Sequence, residues 1–285
     1  MLTRLIVIKS LPQAPPARPF LKWVGGKGRL LSQYQPWLPQ HYHTYYEPFL
    51  GGGALFFHLQ PRQAVLSDVN GDLVNVYQCV RDRIHEVTHH LQIHSARHNQ
   101  DYYYQIRAST PSTQAEQAAR LLYLNKTCFN GLYRVNRRGQ FNVPMGRYHQ
   151  PHIFNPALLK AASQALQGIQ IHTSTFADLL QANLSPEDFV YFDPPYHPVS
   201  ATSNFTSYSQ NTFTAEDQTQ LQAVFCHLAQ QGVQVMLSNS DCEFIRDLYQ
   251  GFYIHQIYAA RSVNSNPSKR GKIPEVLITS YAKPT

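Results

Sequence analysis

The stretch VYFDPPYHP, residues 190–198, frames the reading of the whole chain. The apolar run from Phe189 to Phe192 reads as a buried strand. It stops at an acid, Asp193, followed by Pro194, Pro195 and an aromatic, Tyr196. Two prolines remove two backbone N–H donors and fix two φ angles. The strand therefore ends in a carboxylate, a rigid pair and a ring. Open α/β sheets bind their ligands at the carboxyl ends of strands.

Outward from that corner, other segments repeat the pattern of a strand followed by a turn. HTYYEPFLGGGALFFHL (43–59) reads as strand, glycine turn, helix, and AVLSDVN (64–70) as a strand ending at Asp68. GIQIHTSTFADLL (168–180) restarts the alternation, and VQVMLSNS (233–240), FYIHQIYAA (252–260) and EVLITSYA (275–282) are further strand candidates. Strands alternating with helices imply an α/β domain with a mostly parallel sheet. Residues 71–154 interrupt the alternation. GDLVNVYQCVRDRIHEVTHHL (71–91) reads as one long helix and residues 102–126 as another. After them RVNRRGQFNV (134–143) has the form of a hairpin with Arg-Gly at its tip. The expected organisation is a catalytic domain in two parts, 1–70 and 155–285, around an insertion at 71–154. Residues 11–19, LPQAPPARP, read as an extended lead-in.

Composition narrows the class. Hydrophobic residues make up 43% of the 285, enough for a substantial core. No run approaches the roughly 18 apolar residues of a membrane span, and MLTRLIVIKS at the start lacks the ordering of a secretory signal. Cys79, Cys128, Cys226 and Cys242 are scattered, with no CxxC pair, as in a reduced cytoplasmic protein. Lys and Arg total 24 against 17 Asp and Glu, a net charge of +7. A basic surplus favours a polyanionic partner. Arg134, Arg137, Arg138 and Arg147 fall in one acid-free segment, which points the same way.

Three constellations carry chemistry. Gly51, Gly52 and Gly53 between a strand and a helix allow close backbone approach to a ligand. Asp68, at the end of the next strand, can accept from two ribose hydroxyls, or else cap the helix that follows. The spacing is not the dinucleotide fingerprint, so a nicotinamide cofactor is not expected. FLKWVGGKGRLL (20–31) fails the P-loop pattern, with Leu21 at the first glycine and Gly28 where Ser or Thr should follow Lys27. It leaves a lysine on a glycine turn beside Trp23, able to pair with a small carboxylate or to stand in solvent. At the opening stretch, an exocyclic aromatic amine is a poor nucleophile, because its lone pair is delocalised into the ring. Two acceptors on its N–H bonds favour a more tetrahedral nitrogen and free the lone pair. Asp193 and the Pro194 carbonyl can be those acceptors, with Pro195 stiffening the corner and Tyr196 stacking on the ring. His85, His89, His90, His94 and His98 recur at helical spacing, but no acid or cysteine completes a site. They read as a solvated helix face, and no metal is expected.

Taken in order, FLKWVGGKGRLL, EPFLGGGALFF, LSDVNGDL, NGLYRVNRRGQFNVPMGRY and YFDPPYHPVSATSNFTSY resemble the Dam-type, site-specific DNA adenine-N6 methyltransferases, the D12 class of the alpha group. The likeness runs from about residue 18 to 280. It implies a Rossmann-like methyltransferase sheet with an inserted, mainly helical DNA-recognition domain carrying the basic hairpin. It implies S-adenosyl-L-methionine as methyl donor, held by Trp23, Lys27, Gly51, Gly53, Asp68 and Asp193, with Lys27 near the methionine carboxylate. It implies double-stranded DNA as substrate, with Phe129, Asn130, Leu132, Arg134, Pro144 and Arg147 as the contacts. Arg134 matches a base-reading arginine, suited to guanine O6 and N7. The target base must be flipped, at a cost of a few kcal/mol. Likeness around the hairpin is greatest to members acting at GATC. A cognate restriction endonuclease sharing the site is compatible with the resemblance and needs no direct contact. The rival readings are an RNA adenine-N6 methyltransferase, a non-catalytic DNA-binding protein on the same fold, and a P-loop hydrolase.

Overall fold

A computed structural model describes residues 15–199, 213–260 and 272–283. The apolar start (1–10), part of the proline-rich stretch (11–14) and residues 200–208 after the Tyr196 corner lie outside the described residues. The strands are β1 (Tyr45–Glu47), β2 (Ala64–Asp68), β3 (Gln170–Thr173), β4 (Phe189–Phe192), β5 (Gln234–Ser240), β6 (Tyr253–Ala260) and β7 (Lys272–Thr279). They form one sheet in the order β3-β2-β1-β4-β5-β7-β6. β3 through β5 are parallel, and β7 runs antiparallel between β5 and β6. The expected α/β fold with a mostly parallel sheet is the fold observed. The order reverses at β1, which pairs with β2 on one side and β4 on the other. The crevice of such a sheet opens at that reversal.

The two-residue period of a strand distributes the central side chains to both faces. Phe189 and Tyr191 of β4 pack into one apolar cluster, with Tyr45, Leu66, Met236 and Leu277. Val190 and Phe192 point the other way and pack with Val235, Leu237, Val276 and Ile278. All four β4 residues are buried, which explains a run with no polar alternation. The second cluster is closed by α8 (Ala215–Gln230) and α9 (Glu243–Leu248), through Leu221, Phe225, Ile245 and Tyr249. The first is closed by the helical segment. Each fully buried Leu, Val or Phe contributes roughly 1.5–3 kcal/mol.

Short helices α1 (Leu31–Tyr34) and α2 (Ala54–Leu59) lie before and after β1 in the chain, and α7 (Pro156–Ala165) leads back to β3. Between them the two long helices expected from periodicity are four. The first is α3 (Gly71–Asp82) and α4 (Ile84–Ala96), divided at Arg83, whose φ of −130° and ψ of 34° leave the helical region. The apolar stripe Leu73, Tyr77, Val80, Ile84, Val87, Leu91 keeps helical spacing across the break, so periodicity does not reveal it. The second is α5 (Gln100–Ala108) and α6 (Gln114–Thr127). Pro111 lies in the gap, and Thr113 with Glu116 forms a capping box that starts α6. His94 and His98 also depart from expectation. They do not stand in solvent but meet the hydroxyls of Tyr102 at 2.8 Å and Tyr123 at 2.9 Å. Burial lowers the His94 pKa to about 4.

Asn125 joins α6 to the N-terminal segment. Its Oδ1 accepts Lys22 N–H at 2.8 Å, and its Nδ2 donates to Lys22 O at 2.7 Å and Gly131 O at 3.0 Å. The side chain is 1% exposed. Asn125→Ala strands three backbone groups, and each buried unsatisfied group costs about 1–3 kcal/mol. Denaturant titration is expected to show a loss of about 3 kcal/mol or more.

Candidate active site

Two turns at the carboxyl ends of neighbouring strands line the crevice. After β1, Gly51 and Gly53 take left-handed conformations, with φ of 47° and 64°. At Gly51 a side chain is barred by space as well, since a Cβ would lie 2.9 Å from Trp23 Cδ1. The Trp23 ring therefore lies directly on the glycine backbone. After β2, half-buried Asp68 accepts Gly51 N–H at 3.0 Å and Asn70 N–H at 2.9 Å, one on each oxygen. A carboxylate has about four acceptor positions, so two remain for hydroxyls. The helix-capping role that the sequence left open for Asp68 falls to Asn70, which accepts from Asp72 and Leu73 N–H.

After β4, Asp193 turns into the crevice. Its Oδ1 accepts Ser238 Oγ–H at 2.7 Å and lies 2.7 Å from Lys27 Nζ. Lys27 also donates to Gly25 O at 2.6 Å and stands 4.6 Å from the centre of the Tyr196 ring. Lys27 thus pairs with a carboxylate of its own chain and is not solvated. The proline corner is braced from behind. Gln218 donates to the Pro195 carbonyl at 2.9 Å, and Asn239 accepts His197 N–H at 3.0 Å and donates to Gln218 at 3.0 Å. Tyr196 donates its hydroxyl to Glu275 at 2.9 Å. Among the described residues, nothing donates to the Pro194 carbonyl or to Asp193 Oδ2. Both acceptors belong to the turn that carries Tyr196.

Sequence reading missed the residues that hold this corner: Gln218 on α8, Ser238 and Asn239 on β5, and Glu275 on β7. The polar triplet Ser238-Asn239-Ser240 at the end of a buried strand was the available signal. Burial raises the pKa of Glu275. Burial also raises the Tyr196 phenol far above its ordinary range, so it stays a donor.

The DNA-side candidates fall on one segment. Main-chain hydrogen bonds pair Asn136 with Gln140 and Arg134 with Asn142, and Arg138-Gly139 lies at the tip, the hairpin read from the sequence. Arg134 Nε donates to Asn142 Oδ1 at 2.7 Å. Phe129 is 49% exposed and its N–H donates to Pro144 O at 2.9 Å. Asn130, Pro144 and Arg147 are exposed, and Leu132 is half-buried.

Comparison with known proteins agrees with this architecture. The sequence profile of the D12 class N6 adenine-specific DNA methyltransferases matches residues 23–263. The chain is 43% identical over 272 residues to the type II methyltransferase M1.LlaDCHI of Lactococcus lactis subsp. cremoris, covering 93% of this chain and 95% of that protein. It is 38% identical to the type II methyltransferase M.MjaIII of Methanocaldococcus jannaschii, over 93% and 99% of the two chains. It is 37% identical to the DNA adenine methylase of Escherichia coli, over 91% and 94%. The fold is therefore that of a Rossmann-like methyltransferase. The chain belongs to the D12 class N6 adenine-specific DNA methyltransferase family.

Beneath the cleft lies a third acid. Glu47 is 2% exposed and accepts the Tyr45 hydroxyl at 2.8 Å. Burial raises its pKa to about 8, with Asp193 and Asp68 adding to the shift. It is protonated in the folded state at neutral pH, whereas the unfolded chain ionises near 4.5. A raised folded pKa means stability that is greatest below the unfolded value and declines as pH rises toward the folded one. Glu47→Gln removes that decline. Its stability gain over the parent is expected to grow between pH 5 and pH 8, reaching a few kcal/mol at about 1.4 per pKa unit. Unfolding curves across that range check it, and a gain independent of pH contradicts the protonated Glu47.

Proposed function

We propose that the chain transfers a methyl group from S-adenosyl-L-methionine to the N6 amine of an adenine flipped out of double-stranded DNA, at GATC. The observation that carries the reading is the pair of acceptors with no donor among the described residues, Asp193 Oδ2 and the Pro194 carbonyl, in the turn that carries Tyr196. An adenine amine has two N–H bonds, and the corner offers two acceptors on a rigid frame. The crevice supports the donor assignment. The Gly51 turn is held tight under the Trp23 ring, Asp68 keeps acceptor capacity for ribose hydroxyls, and no Walker geometry competes. Bound there, the donor supplies an electrophilic methyl on a positive sulfonium.

The chain's residues then act as follows. Trp23, Gly51, Gly53 and Asp68 hold the donor, and Lys27 lies within the same cleft as a cation for its carboxylate. Tyr196 stacks on the base; such stacking is worth roughly 1–3 kcal/mol and offsets part of the flipping cost. Asp193 and the Pro194 carbonyl draw on the two N–H bonds, and Pro195 keeps that carbonyl in place. This is preorganised polarity at the reacting nitrogen, with alignment supplying the rest. Residues 71–154 serve as the target-recognition insertion. Within them Arg134 reads a base, Phe129, Asn130, Leu132 and Pro144 meet the duplex, and Arg147 adds positive charge. The GATC assignment rests on the likeness of the hairpin sequence to members of that specificity. A role beside a restriction endonuclease fits the type II relatives.

Expression in a host lacking adenine methylation, followed by sequencing that detects N6-methyladenine, tests the reading. A uniform GATC signal is expected, and unmodified DNA overturns it. Asp193→Ala is expected to lower turnover roughly 10²–10⁴-fold; near-normal activity rejects the role. Arg134→Ala is expected to cost about 1–3 kcal/mol at its own base pair and relax specificity there. Equal weakening on every sequence makes Arg134 a phosphate contact instead.

A further inference from the structure

Tyr133 touches both sides of the cleft. Its ring lies 5.5 Å from that of Trp23, inclined at 31°. Its hydroxyl donates to Asp72 Oδ2 at 2.8 Å. Asp72 stands in the first turn of α3, two residues after the Asn70 whose N–H binds Asp68. Across the hairpin, Phe141 packs edge-on against the Tyr133 ring, with centroids 6.1 Å apart. The next residue in the chain is Arg134, braced on Asn142. One side chain thus meets the donor-side indole, the segment leaving the ribose-binding acid, and the base-reading hairpin.

The route is made of direct contacts. Trp23 cannot shift over Gly51 without moving the ring stacked on it. The Asp68–Asp72 turn cannot adjust without moving the hydroxyl bonded to it. Either displacement arrives at the residue next to Arg134. Asn125 ties the same two segments by main-chain bonds to Lys22 and Gly131, and so fixes their separation. Tyr133 joins them by a ring face and a single hydroxyl, contacts that can reorient. Burial and the Asp72 carboxylate raise the phenol well above its ordinary pKa, which keeps the hydroxyl a donor.

We propose that Tyr133 is a positioning residue that couples occupancy of the donor site to base reading by Arg134. The inference rests on the donor and DNA assignments above. Coupling is reciprocal: a donor-site ligand that tightens DNA binding is itself bound more tightly by the same factor when DNA is present. Ring and hydroxyl contribute separately, so Tyr133→Phe removes the Asp72 tether and keeps the stack, while Tyr133→Leu removes both.

The test measures the Kd of the full chain for a duplex with one GATC site, with and without saturating S-adenosylhomocysteine, which occupies the donor site without turnover. The parent is expected to bind the duplex about fivefold or more tightly with the ligand, the lower end of allosteric couplings. Tyr133→Phe is expected to reduce that factor to about half or less, and Tyr133→Leu to bring it near one. Thermal unfolding confirms that each variant is folded; if Tyr133→Leu is not, Tyr133→Phe alone decides. An unchanged factor in Tyr133→Phe and Tyr133→Leu overturns the proposal, even where both lose DNA affinity equally with and without ligand. A factor of one in a parent that binds both ligands also overturns it. A parent that binds no S-adenosylhomocysteine rejects the donor assignment itself.

Discussion

The ion pair between Lys27 and Asp193, 2.7 Å apart, holds the cleft in the form described. It joins the N-terminal segment to the end of the central strand. Both side chains are largely removed from water, and taking two charges out of water costs several kcal/mol per ion. The pair persists because each charge has further partners. Lys27 donates to Gly25 O, and Asp193 accepts from Ser238. Such a pair is weak evidence of stability and strong evidence of geometry. Removing one partner leaves a buried charge, so the two positions constrain each other. The same oxygen of Asp193 takes both the lysine and the serine, which leaves the other oxygen without a donor among the described residues.

Charge in the cleft is distributed by burial. Two acids, Asp193 and Asp68, lie close enough to Glu47 to add to the rise of its pKa. Glu47, the most enclosed, holds its proton, and this lessens repulsion on the two carboxylates at the mouth. Burial raises the pKa of Asp68, and the N–H groups of Asn70 and Gly51 oppose that rise. Asp193 alone has the ammonium. One positive side chain thus serves the site where polarity is needed.

The parts legible in the sequence were local. Asp193 to Tyr196 could be read because the acid, the prolines and the ring adjoin and follow a strand. The Gly51–Gly53 turn and Asp68 were legible for the same reason, each closing a strand. The hairpin at 134–143 showed itself through Arg138-Gly139 between alternating residues. What pairs across the fold was not visible. Lys27 read as a lysine on a flexible turn because its partner, Asp193, lies far along the chain, just past β4. Ser238 and Asn239 read only as the end of a strand, since register alone sets them against the Asp193 corner. His94 and His98 read as solvated because periodicity gives the face of a helix and not what covers it. Here α5 and α6 cover it, with Tyr102 and Tyr123. The break at Arg83 was hidden by an apolar stripe that runs through it.

Gly131 shows how closely the segment after α6 is built onto the N-terminal segment. Its φ is 65°, and a Cβ there would meet the Lys22 methylenes at 2.6 and 2.7 Å. The glycine is required twice, by the left-handed turn and by the approach of Lys22. Lys22 immediately precedes Trp23, so the segment carrying Phe129 and Arg134 is seated on the segment carrying Trp23 and Lys27. Asn125 locks that seat through both main chains. A segment joined only by a linker could rotate freely against the sheet. Here the joint is buried, hydrogen-bonded and intolerant of a methyl group. Arg137, Arg138, Pro144 and Arg147 are exposed on the same segment, whereas Asn130 is held at a positive φ of 53° beside Gly131.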